Sequence, residues 1–297
     1  MKHFTHPRLW SVLGLLGTTL RPAGAGPGTT TIMPGGEFAW AQNAGWINAR
    51  HALPATSGGL ITGDYFLCGD AWGQNIGWIR CGSGAPTDGI RYSNTTATDY
   101  GVNHDGTGNL SGYAWAQNAG WINFGWAAPS DGGRPRINLQ TGKFTGFAWG
   151  QNLGWIRLDG LITSSLPVTD TDADGLSDAW ERQHFASLTK ANAATDSDGD
   201  GDTDAAEFLA GTNPASALSR FEILHFTISP SGLQESFTFT SNPGRFYEIL
   251  AGSDLQTWST AGTVAGAPGT TTTVTVTLPA SPNRQFLTPK PKRPLTP

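Results

Sequence analysis

Ala39-Trp40-Ala41-Gln42-Asn43-Ala44-Gly45-Trp46-Ile47 decides how the first half of this chain folds, because it returns three times. The copies run Ala71–Ile79, Ala114–Ile122 and Ala148–Ile156, and share the pattern A-W-[AG]-Q-N-x-G-W-I. Gln-Asn-x-Gly is a turn signal, since Asn and Gly tolerate positive φ, and apolar residues flank it on both sides. Each copy therefore predicts a β-hairpin, in which either the two tryptophans sit opposite each other or, in the second copy, Cys68 faces Cys81 and the tryptophans do not share a face. The first tryptophans are spaced by 32, 43 and 34 residues. Copies one and three continue into Asn48 and Asn123, and copies two and four into Arg80 and Arg157, so a two-motif unit has been duplicated.

A further alternating run precedes the later copies, for example Gly101-Val102-Asn103 and Arg136-Ile137-Asn138-Leu139. The unit is thus a three-stranded meander, and one repeat domain is expected over residues 30–160. Four units can close a propeller, a barrel or a two-sheet stack, and the pattern alone does not choose among them. Placing Trp72 opposite Trp78 puts Cys68 opposite Gly82 and Cys81 opposite Gly69, on different faces of the ladder. An exported pair of cysteines is expected as a disulfide, so a bulge at Gly69 or Gly82 is expected with it.

Beyond the repeat, residues 161–169 read as a linker and 170–214 as an acidic segment. Residues 220–287 alternate as short strands separated by Gly, Pro and Asn, which predicts a small β-sandwich. Residues 288–297 are Pro-rich and basic and read as a disordered tail. The fold class is therefore mainly β, with one short connector of loops and helices.

Composition agrees. Of 297 residues, 40 are Gly and 12 are Trp, and only 14% are charged, a mixture that favours short strands and tight turns. A net charge of −5 without a basic patch argues against a nucleic-acid partner. Lys2 and Arg8, the apolar run Leu9–Leu20 and the small residues Ala23-Gly24-Ala25 read as a signal peptide over 1–25. No later stretch is long enough for a transmembrane helix. The mature chain is expected to be secreted or to lie at the cell surface.

The acidic segment carries the clearest chemistry. Asp170-Thr171-Asp172-Ala173-Asp174-Gly175-Leu176-Ser177-Asp178-Ala179-Trp180-Glu181 fits a twelve-residue calcium loop. Asp170, Asp172 and Asp174 supply oxygens at positions one, three and five, and Leu176 a backbone carbonyl at seven. Asp178 stands at nine, and Glu181 closes the loop at twelve. Asp196, Asp198, Asp200, Asp202, Asp204 and Glu207 repeat the scheme. Of the 23 acidic residues, 11 lie between Asp170 and Glu207, a density that repels itself without a cation. Two Ca2+ ions are therefore expected. Pro167 and Ser164-Ser165 leave no helix entering loop one, while short helices are expected after both loops, the second stopped by Gly211.

This segment resembles bacterial thrombospondin type 3 repeats, on Asp170–Asp178, Glu181, Asp196–Asp204, Glu207 and Gly211-Thr212-Asn213-Pro214. The resemblance implies structural calcium that links extracellular modules. The 26-residue spacing and unmatched helices make a dockerin the poorer likeness. Ser241–Tyr247 and Ser253–Trp258 resemble the small fibronectin-like modules that follow such repeats in exported bacterial proteins.

The repeat tryptophans Trp40, Trp46, Trp72, Trp78, Trp115, Trp121, Trp149 and Trp155 have two readings. The first is a core that fills the repeat fold. The second is an exposed glycan-binding face with stacking indoles. The motif Gln and Asn read as turn residues. No triad or zinc spacing occurs, and no paired carboxylates of a glycosidase are placed by the motif, so the chain reads as non-enzymatic. A calcium-stiffened structural or adhesive protein is the expected function, with carbohydrate binding as the alternative and a polysaccharide-processing enzyme behind both.

Overall fold

The computed structural model describes residues 30–50, 58–230, 234–254, 256–277 and 286–295; the signal peptide expected over 1–25 lies outside the described residues. The chain is mainly β, with two short helices.

Each motif is a hairpin. Their strands are Ile32–Ala41 with Gly45–Asn48, Leu67–Gly73 with Gly77–Gly82, Leu110–Ala116 with Gly120–Asn123, and Phe147–Gly150 with Gly154–Arg157. Trp40 faces Trp46, and the other three pairs follow the same register. The loop is three residues long and is followed by a glycine at φ 68–85°, in the left-handed region that an L side chain resists. The motif glycine is the residue that this turn demands.

The four hairpins close into an eight-stranded antiparallel barrel. Each joins the next through two residue pairs, such as Ile47↔Gly73 and Asn48↔Trp72. The last returns to the first through Trp40↔Arg157 and Ala41↔Ile156. Each junction offsets the register by two residues, so the shear around the ring is eight. Eight strands at that shear tilt by about 36° and leave an interior that side chains just fill. Of the three arrangements open to the sequence, the barrel is the one formed.

That narrow interior explains which face of the motif turns inward. Ala39, Ala71, Ala114 and Ala148 and their partners Ile47, Ile79, Ile122 and Ile156 are all at most 5% exposed. The tryptophans, one residue along, point outward. Six of them are 38–44% exposed and Trp72 and Trp78 are half-buried. The reading of the tryptophans as core is thus corrected: eight indoles exceed the bore of an eight-stranded barrel, and alanines fit it. Outside, the pairs meet edge to face, at 4.9 Å for Trp40–Trp46 and Trp72–Trp78 and 4.8 Å for Trp115–Trp121.

The two kinds of copy also pack differently. Copies one and three carry Ala41 with Ala44 and Ala116 with Ala119, all buried. Copies two and four carry Gly73 with Ile76 and Gly150 with Leu153. A Cβ on Gly73 would stand 2.6 Å from Cγ1 of Ile76, and one on Gly150 3.2 Å from Cβ of Leu153. The missing methyl makes room for the larger neighbour, and the larger side chains alternate with alanine around the barrel.

Several boundaries differ from expectation. Residues 161–169 contain a strand, Leu161–Thr163, that pairs with the start of the first hairpin at Ile32↔Thr163 and Glu37↔Leu161. It takes the place that Ile61–Thr62 and Val102–His104 hold beside the second and third hairpins. The segment that follows the last repeat thus supplies the third strand beside the first hairpin. In the second hairpin the register slips between Gly69 and Asp70, leaving Cys81 as the extra residue of a bulge. The expected Cys68–Cys81 disulfide is not formed; both cysteines are buried free thiols. Burial, reinforced by Asp70, pushes them up to about 11 and about 12, so they stay protonated. His104 is buried. Its Nδ1 lies 2.8 Å from the Asp64 carbonyl, and its Nε2 accepts from Gly108 N–H.

The C-terminal module is a sandwich of two three-stranded sheets. One holds Ile223–Ile228, Gln234–Thr240 and Thr271–Thr277, and the other Ser259–Ala265, Phe246–Gly252 and Phe286–Lys292. Phe237, Phe239, Tyr247 and Ile249 form its core. The supposed tail is corrected, because residues 288–292 belong to the last strand. Pro289 and Pro291 alternate along that edge strand, where a missing N–H is tolerated.

Candidate metal centre

The connector lies between barrel and sandwich. Helix α1 (Asp178–Phe185) follows loop one and α2 (Asp204–Ala210) follows loop two. Among the described residues no helix enters loop one. Thr203 caps α2 by accepting from Ala206 N–H, and Gly211 ends it at φ 78°. Leu176, Trp180, Ala191 and Phe208 make a small shared core, with Trp180 and Phe208 rings 5.4 Å apart. Trp180 adjoins Glu181 and Phe208 adjoins Glu207, so the packing that joins the helices also sets both loop-closing glutamates.

The two loops have the same internal geometry. Asp170 accepts from Asp174 N–H at 3.2 Å and Gly175 N–H at 3.0 Å; Asp196 accepts from Asp200 and Gly201 N–H at the same distances. Gly175 and Gly201 hold φ of 96° and 103°, which turns each loop back on itself. Asp170, Asp172 and Asp174 bring carboxylate oxygens within 4.8 Å of one another, as do Asp196, Asp198 and Asp200. Leu176 and Asp202 hold position seven; their N–H groups donate to Asp174 and Asp200.

Glu181 and Glu207 close the loops from below. They are 0% and 1% exposed. Both Glu181 carboxylate oxygens, Oε2 of Glu207, Oδ2 of Asp174 and Oδ2 of Asp198 are buried without a hydrogen-bond partner among the described residues. Leaving a buried carboxylate unpaired is costly. Burial, then Asp174, Asp172, Asp178 and Asp170, push Glu181 up to about 7. Burial also dominates at Glu207, which reaches about 7 although Thr212 donates to it. A divalent cation answers both problems, because it supplies charge and coordination to oxygens that have neither. The residues present fit calcium.

The aspartates at position nine are engaged within the protein. Asp178 accepts from Thr171 N–H at 2.7 Å and Thr171 Oγ1 at 2.6 Å, and pairs with Arg182 at 3.3 Å. Burial alone would raise its pKa, yet these partners hold it below the ordinary aspartate value. Asp204 likewise accepts from Ser197 N–H, Ser197 Oγ and Thr195 Oγ1. Both side chains tie the end of a loop to its beginning. The hydroxyls at Thr171 and Ser197, each second in its loop, were the sequence signal for this.

The sandwich grips the end of α2. Arg245 donates to the carbonyls of Phe208 at 2.9 Å and Leu209 at 3.1 Å, Tyr247 Oη to Ala210 at 3.2 Å, and Asn242 Nδ2 to Gly211 at 3.0 Å. The helix's terminal carbonyls are thus satisfied by another module. Arg293, past the last strand, lies with Cζ 5.0 Å from the Phe208 ring centroid. It also pairs with Asp64 of the barrel at 2.6 Å and donates to the Leu166 carbonyl. No local pattern announced these contacts.

Residues 170–184 and 196–217 match the family model described as bacterial TSP3 repeat. No curated protein and no solved structure matches the chain. The match coincides with the two loops and their helices, which supports calcium binding at the Asp clusters.

Proposed function

We propose that this is a secreted or cell-surface, non-enzymatic structural protein in which two calcium ions turn an acidic connector into a rigid joint. The observation that carries the reading is the pair of buried, unpartnered glutamates, Glu181 and Glu207. Calcium supplies the positive charge that these two glutamates lack. Asp170, Asp172, Asp174 and Glu181 hold one ion, with the Leu176 carbonyl. Asp196, Asp198, Asp200 and Glu207 hold the other, with the Asp202 carbonyl.

The joint has consequences outside the loops. Phe208 follows a ligand and sits under Arg293, which reaches Asp64 of the barrel. Ordering loop two therefore orders the platform on which sandwich and barrel meet. Extracellular calcium is nearly constant, so a fixed joint suits it better than a sensor. The N-terminal residues 1–25 support export, and a barrel held at a set angle suits surface structure or adhesion.

Isothermal titration of the mature chain should show two sites of roughly 0.1–1 mM, the extracellular end of the range. The double variant Asp170→Ala, Asp196→Ala should show no calcium heat. Absence of heat in the unaltered chain would overturn the reading.

A further inference from the structure

The outer girdle of tryptophans has four corners, and they are not equivalent. At the first, the rings of Trp40 and Trp46 lie 4.9 Å apart at 75°, so two flat apolar surfaces meet near a right angle. Both are exposed by more than 40%. What stands beside the leading tryptophan, across the junction with the preceding hairpin, differs from corner to corner. Asn48 stands beside Trp72 and Asn123 beside Trp149. Their amide oxygens already accept from Arg50 and Gly125 N–H. Arg80, beside Trp115, is largely buried and pairs with the buried Asp70.

Arg157, beside Trp40, is different. Its side chain is 58% exposed and lies 2.8 Å from Asp159, itself 45% exposed. The corner where the barrel closes therefore joins an exposed indole pair to a solvent-facing guanidinium and carboxylate. Resting on the reading of the barrel as the presented module, we infer that Trp40, Trp46, Arg157 and Asp159 form a binding site for a neutral pyranose oligosaccharide.

The chemistry matches on each count. A pyranose has a face lined with C–H groups, which an indole covers, and vicinal hydroxyls that both donate and accept. Arg157 offers planar paired donors and Asp159 acceptors. The two charges cancel, which favours an uncharged sugar over an anionic one. The site is one corner, not a continuous surface of the roughly 800 Å² per partner that a stable protein interface needs. Among the described residues no other corner sets a solvent-exposed ion pair beside its indoles, and the site does not extend to them.

The test is calorimetric titration of the calcium-loaded full chain with cellohexaose, mannohexaose, maltohexaose and chitohexaose, which separates the sugar classes. At least one should bind saturably below roughly 10 mM. Arg157→Ala with Asp159→Ala leaves every indole in place and should weaken it at least about tenfold. Trp40→Phe, which keeps an aromatic in the hairpin, should weaken it as well, while Trp115→Ala should leave it within about twofold. Failure of all four sugars, or binding that survives loss of the Arg157–Asp159 pair, would overturn the proposal. Calcium heats measured on the same samples report on the joint separately, so neither failure can be mistaken for the other.

Discussion

The barrel and the calcium connector are held together by opposite means. The barrel buries Ala and Ile from four equivalent hairpins in one continuous core, with each strand paired on both sides. The connector's core is a cluster of four buried apolar residues, beside four buried carboxylates, and it crowds 11 acidic residues into 38 positions. A core that small cannot offset such repulsion, and small units commonly need a metal or a staple. Repetition gives the barrel a core that needs no ion, whereas on the proposed reading the connector's stability depends on calcium.

The largest expected effect follows from withdrawing calcium. At 100 times the dissociation constant each ion contributes about 2.7 kcal/mol to the folded connector. Chelation should therefore melt the connector at a lower temperature than the barrel, seen as two calorimetric transitions where the loaded chain shows closer ones. A barrel that melts with the connector would break the contrast.

Phe208→Ala should cost about 3–5 kcal/mol in the connector, by emptying its core and removing the platform under Arg293. Calcium affinity should fall with it, read by titration. Arg245→Met should cost about 1.5–3 kcal/mol by leaving helix carbonyls unmet, and should expose residues 211–220 to limited proteolysis while the barrel remains resistant.

The barrel can be probed through its paired exchange. Gly73→Ala should cost about 1–3 kcal/mol, because the new methyl meets Ile76 at 2.6 Å. Adding Ile76→Ala recreates the Ala41/Ala44 arrangement and should recover part of the loss, a coupling of about 0.5–3 kcal/mol in a denaturation cycle. Strict additivity would contradict the packing account.

The gentlest lever is pH. Glu181 and Glu207 have folded-state values raised from 4.5 to about 7 without calcium. Their contribution to the calcium-free fold is therefore present below about 4.5 and lost as pH rises through about 7. Binding runs the other way, since the ion needs the carboxylates ionised. Affinity should fall on the order of tenfold per site from pH 8 to 6, with proton release on binding near pH 6.5.

The repeat motif made much of this legible. The tryptophans flanking the turn offered one of two registers for the second hairpin, and Trp72↔Trp78 is the one that forms. The aspartate spacing placed both loops, and Gly211 ended the second helix as expected. Which face turned inward was not legible, because period-two alternation is symmetric until the bore of the barrel excludes indoles. The strand Phe286–Lys292 was hidden by its own prolines and lysines, whose alternate spacing suits a sheet edge. The bond from Arg293 to Asp64 spans 229 residues, and nothing local predicts such a pair. The hydroxyls two places into each loop, Thr171 and Ser197, bond Asp178 and Asp204, a contact the twelve-residue loop pattern alone does not specify.

Hydrogen exchange of the full chain with and without calcium tests the central claim most directly. The account predicts that calcium slows exchange in peptides from 170–184 and 196–217, and slows residues 286–292 with them through Phe208 and Arg293. The four tryptophan hairpins should not change. Unchanged exchange in the two loops, or protection of the loops that never reaches 286–292, would contradict it.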